Sequence, residues 1–404
     1  MTVMATLADR LKSIFRYRVG KYNSQTLEAE LGINPIVRSG VNVTEQSALA
    51  ISAVYACVNK IASTISSLGL EIYVRDGRNV EVANQHPAYS LITATPNESQ
   101  NAYDFWESLM TSALMYGCGY AIIERSVRGY AERLVPVSYY DVDVREVDGE
   151  RVFVIRDYGA VTQDNMLEIS AMGRMSPIRL HRENLGLAKA AQDFGSEYFG
   201  QKGQMTGVLA SDQPLRKEQM DVIQNSWNQS AMNAGTKLLP FGFKYQRITI
   251  TPDEAQFIET RKFQAEEVCR IYSVPTSLVQ LEGQSTFNNV EQQNLQFARH
   301  TIAPWAKRIE QEIDRKLIQS FERPDVYAKF NMDDLYRGDL AARTNFYQQM
   351  LQTGVLSINE VRSKENLNPT EGGDTHTVQI NQIALDRLGE YSDKVSSDGG
   401  QQPA

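Results

Sequence analysis

Two pairs of carboxylates are the first residues whose type and spacing could do chemistry. Asp141-Val142-Asp143 and Asp333-Asp334 offer hard oxygen donors close enough to share a divalent ion. With such an ion, Asp141, Asp143 or Asp333 would serve a nuclease or phosphodiesterase; the plainer expectation is solvated acids on a strand face and at a helix start. Cys118 stands between Gly117 and Gly119, and a nucleophilic thiol there would need a base, yet no histidine is near it in sequence. A thiol packed at a helix-to-strand turn is the expectation. Cys57, Cys118 and Cys269 are odd in number, far apart in sequence and never spaced Cys-x-x-Cys, which speaks against a disulfide framework and a zinc knuckle and fits a reducing cytoplasm. His86, His181, His300 and His376 never occur at His-x-x-x-His spacing, so no helix turn presents two imidazoles to one metal. Gly-Lys-Ser/Thr, Gly-x-Gly-x-x-Gly, His-Glu-x-x-His and Gly-x-Ser-x-Gly are absent from the sequence. No catalytic residue, cofactor or metal is expected.

The elements that would position such groups are legible from composition and period. The chain has 404 residues, 42% hydrophobic and 22% charged, which suits more than one hydrophobic core. Its 49 acids against 41 bases give a net charge of −8, so a dense cationic surface that grips nucleic acid or anionic lipid is excluded. The most apolar window, Ala48 to Leu70, is interrupted by Ser52, Asn59, Lys60, Ser63 and Ser66, and no membrane span is expected. Residues 1–46 read as a basic amphipathic arm, with Leu7, Leu11, Ile14 and Phe15 between Arg10, Lys12, Arg16 and Arg18.

Apolar residues every three or four positions predict a helix from Ser47 to Leu68, and Asp76-Gly77 between Glu71–Val74 and Asn79–Val82 predicts a hairpin. A second helix follows over Ala102 to Tyr116, then strands Tyr120 to Ile123, Arg133 to Val137, Val142 to Val147 and Val152 to Ile155. Helices ahead of short strands, and not between them, predict an antiparallel α+β domain. After Pro177 come a helix Leu185 to Phe199 and an inserted unit: strand Gly207 to Ala210, helix Lys217 to Met232, strands Lys237 to Pro240 and Tyr245 to Ile250. Thr251-Pro252-Asp253-Glu254 combines a cap, an N1 proline and acids that complement the helix dipole, so a helix starts there, and Pro275 stops it. Gln280 to Asn289 lacks either period and predicts an exposed loop. A helix with a kink at Pro304, a strand Val326 to Phe330, a helix Asp339 to Thr353 and a Ser357-x-x-Glu360 capping box follow. Residues 373–404 are polar and rich in Gly, Ser and Asp, a composition that predicts a disordered tail.

Several runs, in this order and spacing, resemble the portal (head-to-tail connector) proteins of tailed bacteriophages, of the lambdoid long-tailed type. They are Ser47 to Val58, Tyr198-Phe199 leading into Gly207-Val208-Leu209, Glu254 to Lys262, Ile271 to Pro275, Phe287 to Gln293 and Asn359-Glu360-Val361-Arg362. The resemblance implies a portal-type α+β fold with an antiparallel wing, paired stem helices, a small α/β clip and a helical crown. It divides the chain into arm 1–46, wing 47–184, stem helix 185–206, clip 207–251, stem helix 252–275, tunnel loop 276–289, wing 290–331, crown 332–372 and tail 373–404. It further implies a homo-oligomeric ring, usually of twelve subunits, at one capsid vertex of the virion and assembled in the host cytoplasm. The packaging motor, a large terminase, drives double-stranded DNA through the channel; a head-tail adaptor docks later, and the major capsid protein and scaffold surround the ring. The alternatives are a non-portal capsid or adaptor protein and the metal-dependent nuclease.

The site residues come from that plan. Gln284, Ser285, Thr286, Phe287, Asn288 and Asn289 would line the channel, where amides and hydroxyls make weak phosphate contacts without sequence readout. A channel wall poor in fixed cations suits sliding, because each neutralised phosphate adds a counterion-release term that holds DNA in place. On the second stem helix, Glu259, Arg261, Lys262, Glu266 and Arg270 would form ion pairs between subunits or within the helix. On the clip, Arg216, Lys217, Met220, Ile223 and Trp227 would meet the motor, the adaptor or the next subunit.

Overall fold

The computed structural model describes residues 40–77, 79–200, 207–211, 220, 243–247, 254–279, 287–332, 335, 340–365 and 367–377. The first described elements are a short helix α1 (Glu45–Ala48) and a long one, α2 (Ser52–Ser67). The single helix expected from Ser47 is therefore two. Thr44 and Ser47 close a capping box on α1, and Ile51 turns extended (φ −82°, ψ 110°) to bury its side chain before α2 begins. The hairpin β1 (Leu70–Asp76) and β2 (Asn79–Val82) follows, then α3 (Pro87–Thr93) and α4 (Ala102–Tyr116). The helix α4 starts on an Asn101 side chain that accepts from the Asp104 amide, and it ends at Gly117.

Six antiparallel strands come next: β3 (Cys118–Arg125), β4 (Ala131–Val137), β5 (Val142–Val147), β6 (Glu150–Ile155), β7 (Gly159–Thr162) and β8 (Met166–Ser170). They form two sheets, ordered β4-β3-β8 and β5-β6-β7. The apolar run in β3 has a physical reason. Its residues are buried on both faces, so alternate side chains supply two cores. Ala121 and Ile123 join the main core with α2 and α4, whereas Cys118, Tyr120 and Ile122 pack with Phe153, Ile155, Val161 and Met166 in a second core between the sheets. Gly117 and Gly119 make the helix-to-strand turn close enough for this. Gly117 has φ +90°, and a Cβ on Gly119 would stand 2.2 Å from the Leu109 carbonyl oxygen.

Beyond Pro177 lie α5 (Pro177–Leu180), α6 (Arg182–Gly200), β9 (Gly207–Ser211), β10 (Phe243–Arg247) and α7 (Glu254–Tyr272). The helix α8 (Phe287–Phe297) passes through a π turn, Ala298–Ile302, into α9 (Ala303–Lys316). Where a kink is expected the helix takes a π turn: Pro304 has no N–H to give the carbonyl one turn back, and the Ala303 amide reaches the Ala298 oxygen. Strand β11 (Val326–Phe330) then returns to the first hairpin, in the order β11-β1-β2, with Leu70 opposite Phe330 and Val74 opposite Val326. Buried Glu310 on α9 accepts the Phe330 amide at 2.9 Å. The last described helices, α10 (Leu340–Gln352) and α11 (Ile358–Lys364), are joined by Arg343 and Tyr347, both bonded to Glu365. Among the described residues no helix is long and apolar enough to cross a membrane.

Candidate functional site

The two stretches expected to pair as long helices do pack against one another, α6 on α7. The end of α7 shows why the chain stops there. Ser273 adopts φ +56°, its amide reaches the Arg270 carbonyl and the Val274 amide reaches the Cys269 carbonyl, which is a Schellman closure with a serine at the left-handed position. Pro275 then forbids further helix. The Thr301 hydroxyl in the π turn donates to the Ser273 carbonyl, tying the closure to the next element.

This helix has two unlike halves. Toward its end, Gln264, Val268, Cys269 and Tyr272 are buried against α2 and α4, and Tyr272 donates to the Leu114 carbonyl at 3.4 Å. Toward its start, Ile258 is 68% exposed and Phe263 52% exposed, and Glu259, Arg261 and Lys262 are exposed between them. On α6, Leu187 is 50% exposed. Of the expected stem residues, Arg270 pairs within its own helix, with Glu267 and not with Glu266. Arg261 and Lys262 have no ion pair among the described residues.

Between α6 and α7, strands β9 and β10 pair antiparallel with Gly207 opposite Arg247 and Ser211 opposite Phe243. Strand β10 begins at Phe243, two residues before the expected Tyr245, and the rest of the expected strand, residues 248–250, lies outside the described residues. Arg216, Lys217, Ile223 and Trp227 lie outside the described residues; Met220 is helical and half-exposed. The expected loop ends sooner than its composition suggested. Gln284, Ser285 and Thr286 lie outside the described residues, but α8 begins at Phe287, so Phe287, Asn288 and Asn289 stand in a helix's first turn. Polar residues are well tolerated there, where backbone N–H groups still lack intrahelical partners, and this hid the boundary from a periodicity argument.

The carboxylate pair does not converge. Asp141 is tied to Arg156 at 3.2 Å and Asp143 to Arg145 at 2.9 Å, so each acid faces its own guanidinium. Asp333 and Asp334 lie outside the described residues. Among the described residues no group of three or more metal-ligating side chains occurs. Cys118 is buried, and its thiol is pushed up to about 12, first by burial and then by the Glu168 carboxylate. It is the packed thiol of the plainer expectation.

Sequence reading missed two constellations. Glu168 on β8, its side chain 9% exposed, accepts two bonds from Arg151 (2.6 and 3.1 Å) and one from Arg174 (2.9 Å), joining the second sheet to the first. Despite burial, these guanidiniums hold its carboxyl below the usual range. The other is Cys57 with Cys269: far apart in sequence, their sulfurs lie 3.9 Å apart, because α2 and α7 pack in one core. Sequence separation does not bound spatial separation, and neither constellation carries a local signal.

Known proteins resemble this arrangement along most of its length. The chain is 29% identical to the portal protein of Enterobacteria phage HK97 over 366 residues, 86% of each chain. It is also 29% identical to a probable portal protein of Streptomyces phage phiC31, over 84% of this chain and 80% of the relative. Among solved structures, an HK97-family phage portal protein from Corynebacterium diphtheriae superposes with a TM-score of 0.58 at 16% identity, covering 73% of this chain and 97% of that one. A chain from the neck of a native gene transfer agent particle, computed with C12 symmetry, gives 0.52 at 19% identity over 83% and 97%. The phage portal protein family model matches residues 52–366, the span that holds strands β1–β11 and helices α2–α11, and the chain belongs to that family.

Proposed function

We propose that this phage portal protein assembles as a homo-oligomeric ring of twelve copies at one capsid vertex, where a large terminase drives double-stranded DNA through the channel and a head-tail adaptor later docks. The observation that carries the ring is the outer half of α7. Ile258 and Phe263 are more exposed than core-type residues on a finished surface, and Leu187 on the paired helix is half-exposed. A neighbouring copy would remove that area from water, and apolar burial contributes about 25 cal/mol per Å². The C12 symmetry described for the gene transfer agent neck supports the subunit number.

The channel role rests on charge. With 49 acids against 41 bases the ring carries a strong negative charge, which disfavours tight electrostatic holding of duplex and suits passage. Gln284, Ser285, Thr286, Phe287, Asn288 and Asn289 are assigned to the channel wall, as loop and following helix turn. Arg216, Lys217, Met220, Ile223 and Trp227 are assigned to clip contacts with motor, adaptor or neighbour, and the major capsid protein and scaffold to the outer wing. The ring forms within the host cytoplasm and ends in the virion, as a conduit without catalysis of its own. Mass photometry and negative-stain imaging of the purified chain test this: hollow rings of about twelve copies are expected, and a stable monomer or dimer under packaging conditions overturns it.

A further inference from the structure

Cys57 on α2 and Cys269 on α7 are both free thiols, 0% and 2% exposed, with sulfurs 3.9 Å apart. A disulfide needs about 2.05 Å between sulfurs, so these two must close on one another by roughly 1.9 Å to bond. The Cys57 thiol donates to the Cys269 sulfur, and that bond lowers Cys269 below the ordinary thiol range while the Cys57 proton is held more tightly. A thiolate formed on either sulfur of this pair has the other within reach as its resolving partner. Cys118, raised to about 12 beside Glu168, is the unreactive thiol against which the pair can be judged.

We propose that Cys57 and Cys269 are a site of oxidative modification, closing to a disulfide with a peroxide as oxidant and thereby fastening α7 to α2. The Cys269 thiolate attacks one peroxide oxygen, the O–O bond breaks, and the departing hydroxide leaves as water with the proton Cys269 had shed. Cys269 is then a sulfenic acid. The Cys57 sulfur attacks the Cys269 sulfur; the S–S bond forms, the S–O bond breaks, and a second water leaves with the Cys57 proton. Two thiols lose two electrons and one peroxide becomes two waters.

Burial selects the oxidant. A water-sized peroxide needs a far smaller opening of the α2–α7 contact than a peptide disulfide does, since both thiols are enclosed. The pair also fits the itinerary proposed above, since a virion leaves a reducing cell for an oxidising medium, where disulfides persist. The bond would span 212 positions of the chain and enclose α6, β9 and β10.

The test uses the full chain, purified reduced, freed of reductant, exposed to hydrogen peroxide, alkylated and digested for mass spectrometry. The expected product is a Cys57–Cys269 cross-linked peptide lighter by two hydrogens, with Cys118 still alkylatable after denaturation. It should form at least about tenfold faster with peroxide than with glutathione disulfide at equal concentration. The melting temperature should rise, the rise should reverse with dithiothreitol, and Cys57→Ser and Cys269→Ser should each abolish it. No cross-link, a cross-link only in denaturant, Cys269 passing to sulfinic acid with Cys57 free, or Cys118 oxidised equally fast would each overturn the proposal. The wild-type mass measurement decides even where a serine variant folds poorly, and it reads chemistry within one chain, so it stands or falls separately from ring formation.

Discussion

Arg151→Met tests the electrostatic join between the β4-β3-β8 and β5-β6-β7 sheets. Arg151 and Glu168 retain only 24% and 9% side-chain exposure and meet through two hydrogen bonds, so water can replace little of what the substitution removes. Breaking a buried pair costs about 3–5 kcal/mol when the remaining charge has no other partner. Arg174 stays on Glu168, but its side chain is 54% exposed and screened, so its compensation is partial and a loss of about 2–3 kcal/mol at pH 7 is expected. The sign of the pH dependence follows from the lowered carboxyl of Glu168. A group whose folded pKa lies below its unfolded value contributes stability present above the unfolded value, about 4.3, and lost as pH falls through the folded one. The gap between wild type and Arg151→Met should therefore be full at pH 6–7 and shrink below about pH 4, as Glu168 protonates first in the variant. Urea unfolding followed by tryptophan fluorescence at several pH values measures it. A gap that stays constant with pH would mean that only the packing of the arginine stem was lost, and the electrostatic reasoning would be wrong.

Three further outcomes are expected. Gly119→Ala should destabilise by about 1–3 kcal/mol in urea unfolding, because its Cβ would meet backbone that has no rotamer to yield, while Gly149→Ala, in open space, should cost only its left-handed backbone strain. Ser357→Ala removes the bond its hydroxyl accepts from the Glu360 amide, leaving the Ser357 amide on the Glu360 carboxylate, and should cost about 1 kcal/mol, seen as faster amide exchange confined to α11, with strands β3–β8 unchanged. Phe263→Asp should abolish rings in mass photometry while leaving the circular dichroism spectrum intact; rings of normal size would remove the outer half of α7 from the intersubunit surface.

How much was legible in the sequence depended on whether the deciding physics was local. Helix α4, the β5–β6 hairpin with its Asp148-Gly149 turn, the end of α7 before Pro275 and the Ser357–Glu360 box were all readable, since caps, turns and period act within a few residues. The break between α1 and α2 was not, because Ile51 leaves the helix to fill a core built by distant elements. Strands β7 and β8 were likewise left unassigned, their identity resting on pairing with β6 and β3. The candidate site divides in the same way: the runs that resemble portal proteins are sequence features, whereas the exposure of Ile258 and Phe263 and the start of α8 at Phe287 are not.

By itself the amino-acid order determined the α+β class, the bracketing of a small unit by two long helices, the excess of acids that suits a DNA conduit over a DNA clamp, and the family. Only the tertiary structure decided that β3 is shared by two cores, that β11 returns to β1, that Asp141 and Asp143 answer to separate arginines, and that Glu168 and the Cys57–Cys269 pair exist as units. The reason is physical: caps and amphipathic faces are set by neighbours along the chain, but ion pairs, thiol pairs and sheet order are set by which faces are buried together, and burial is a property of the whole fold.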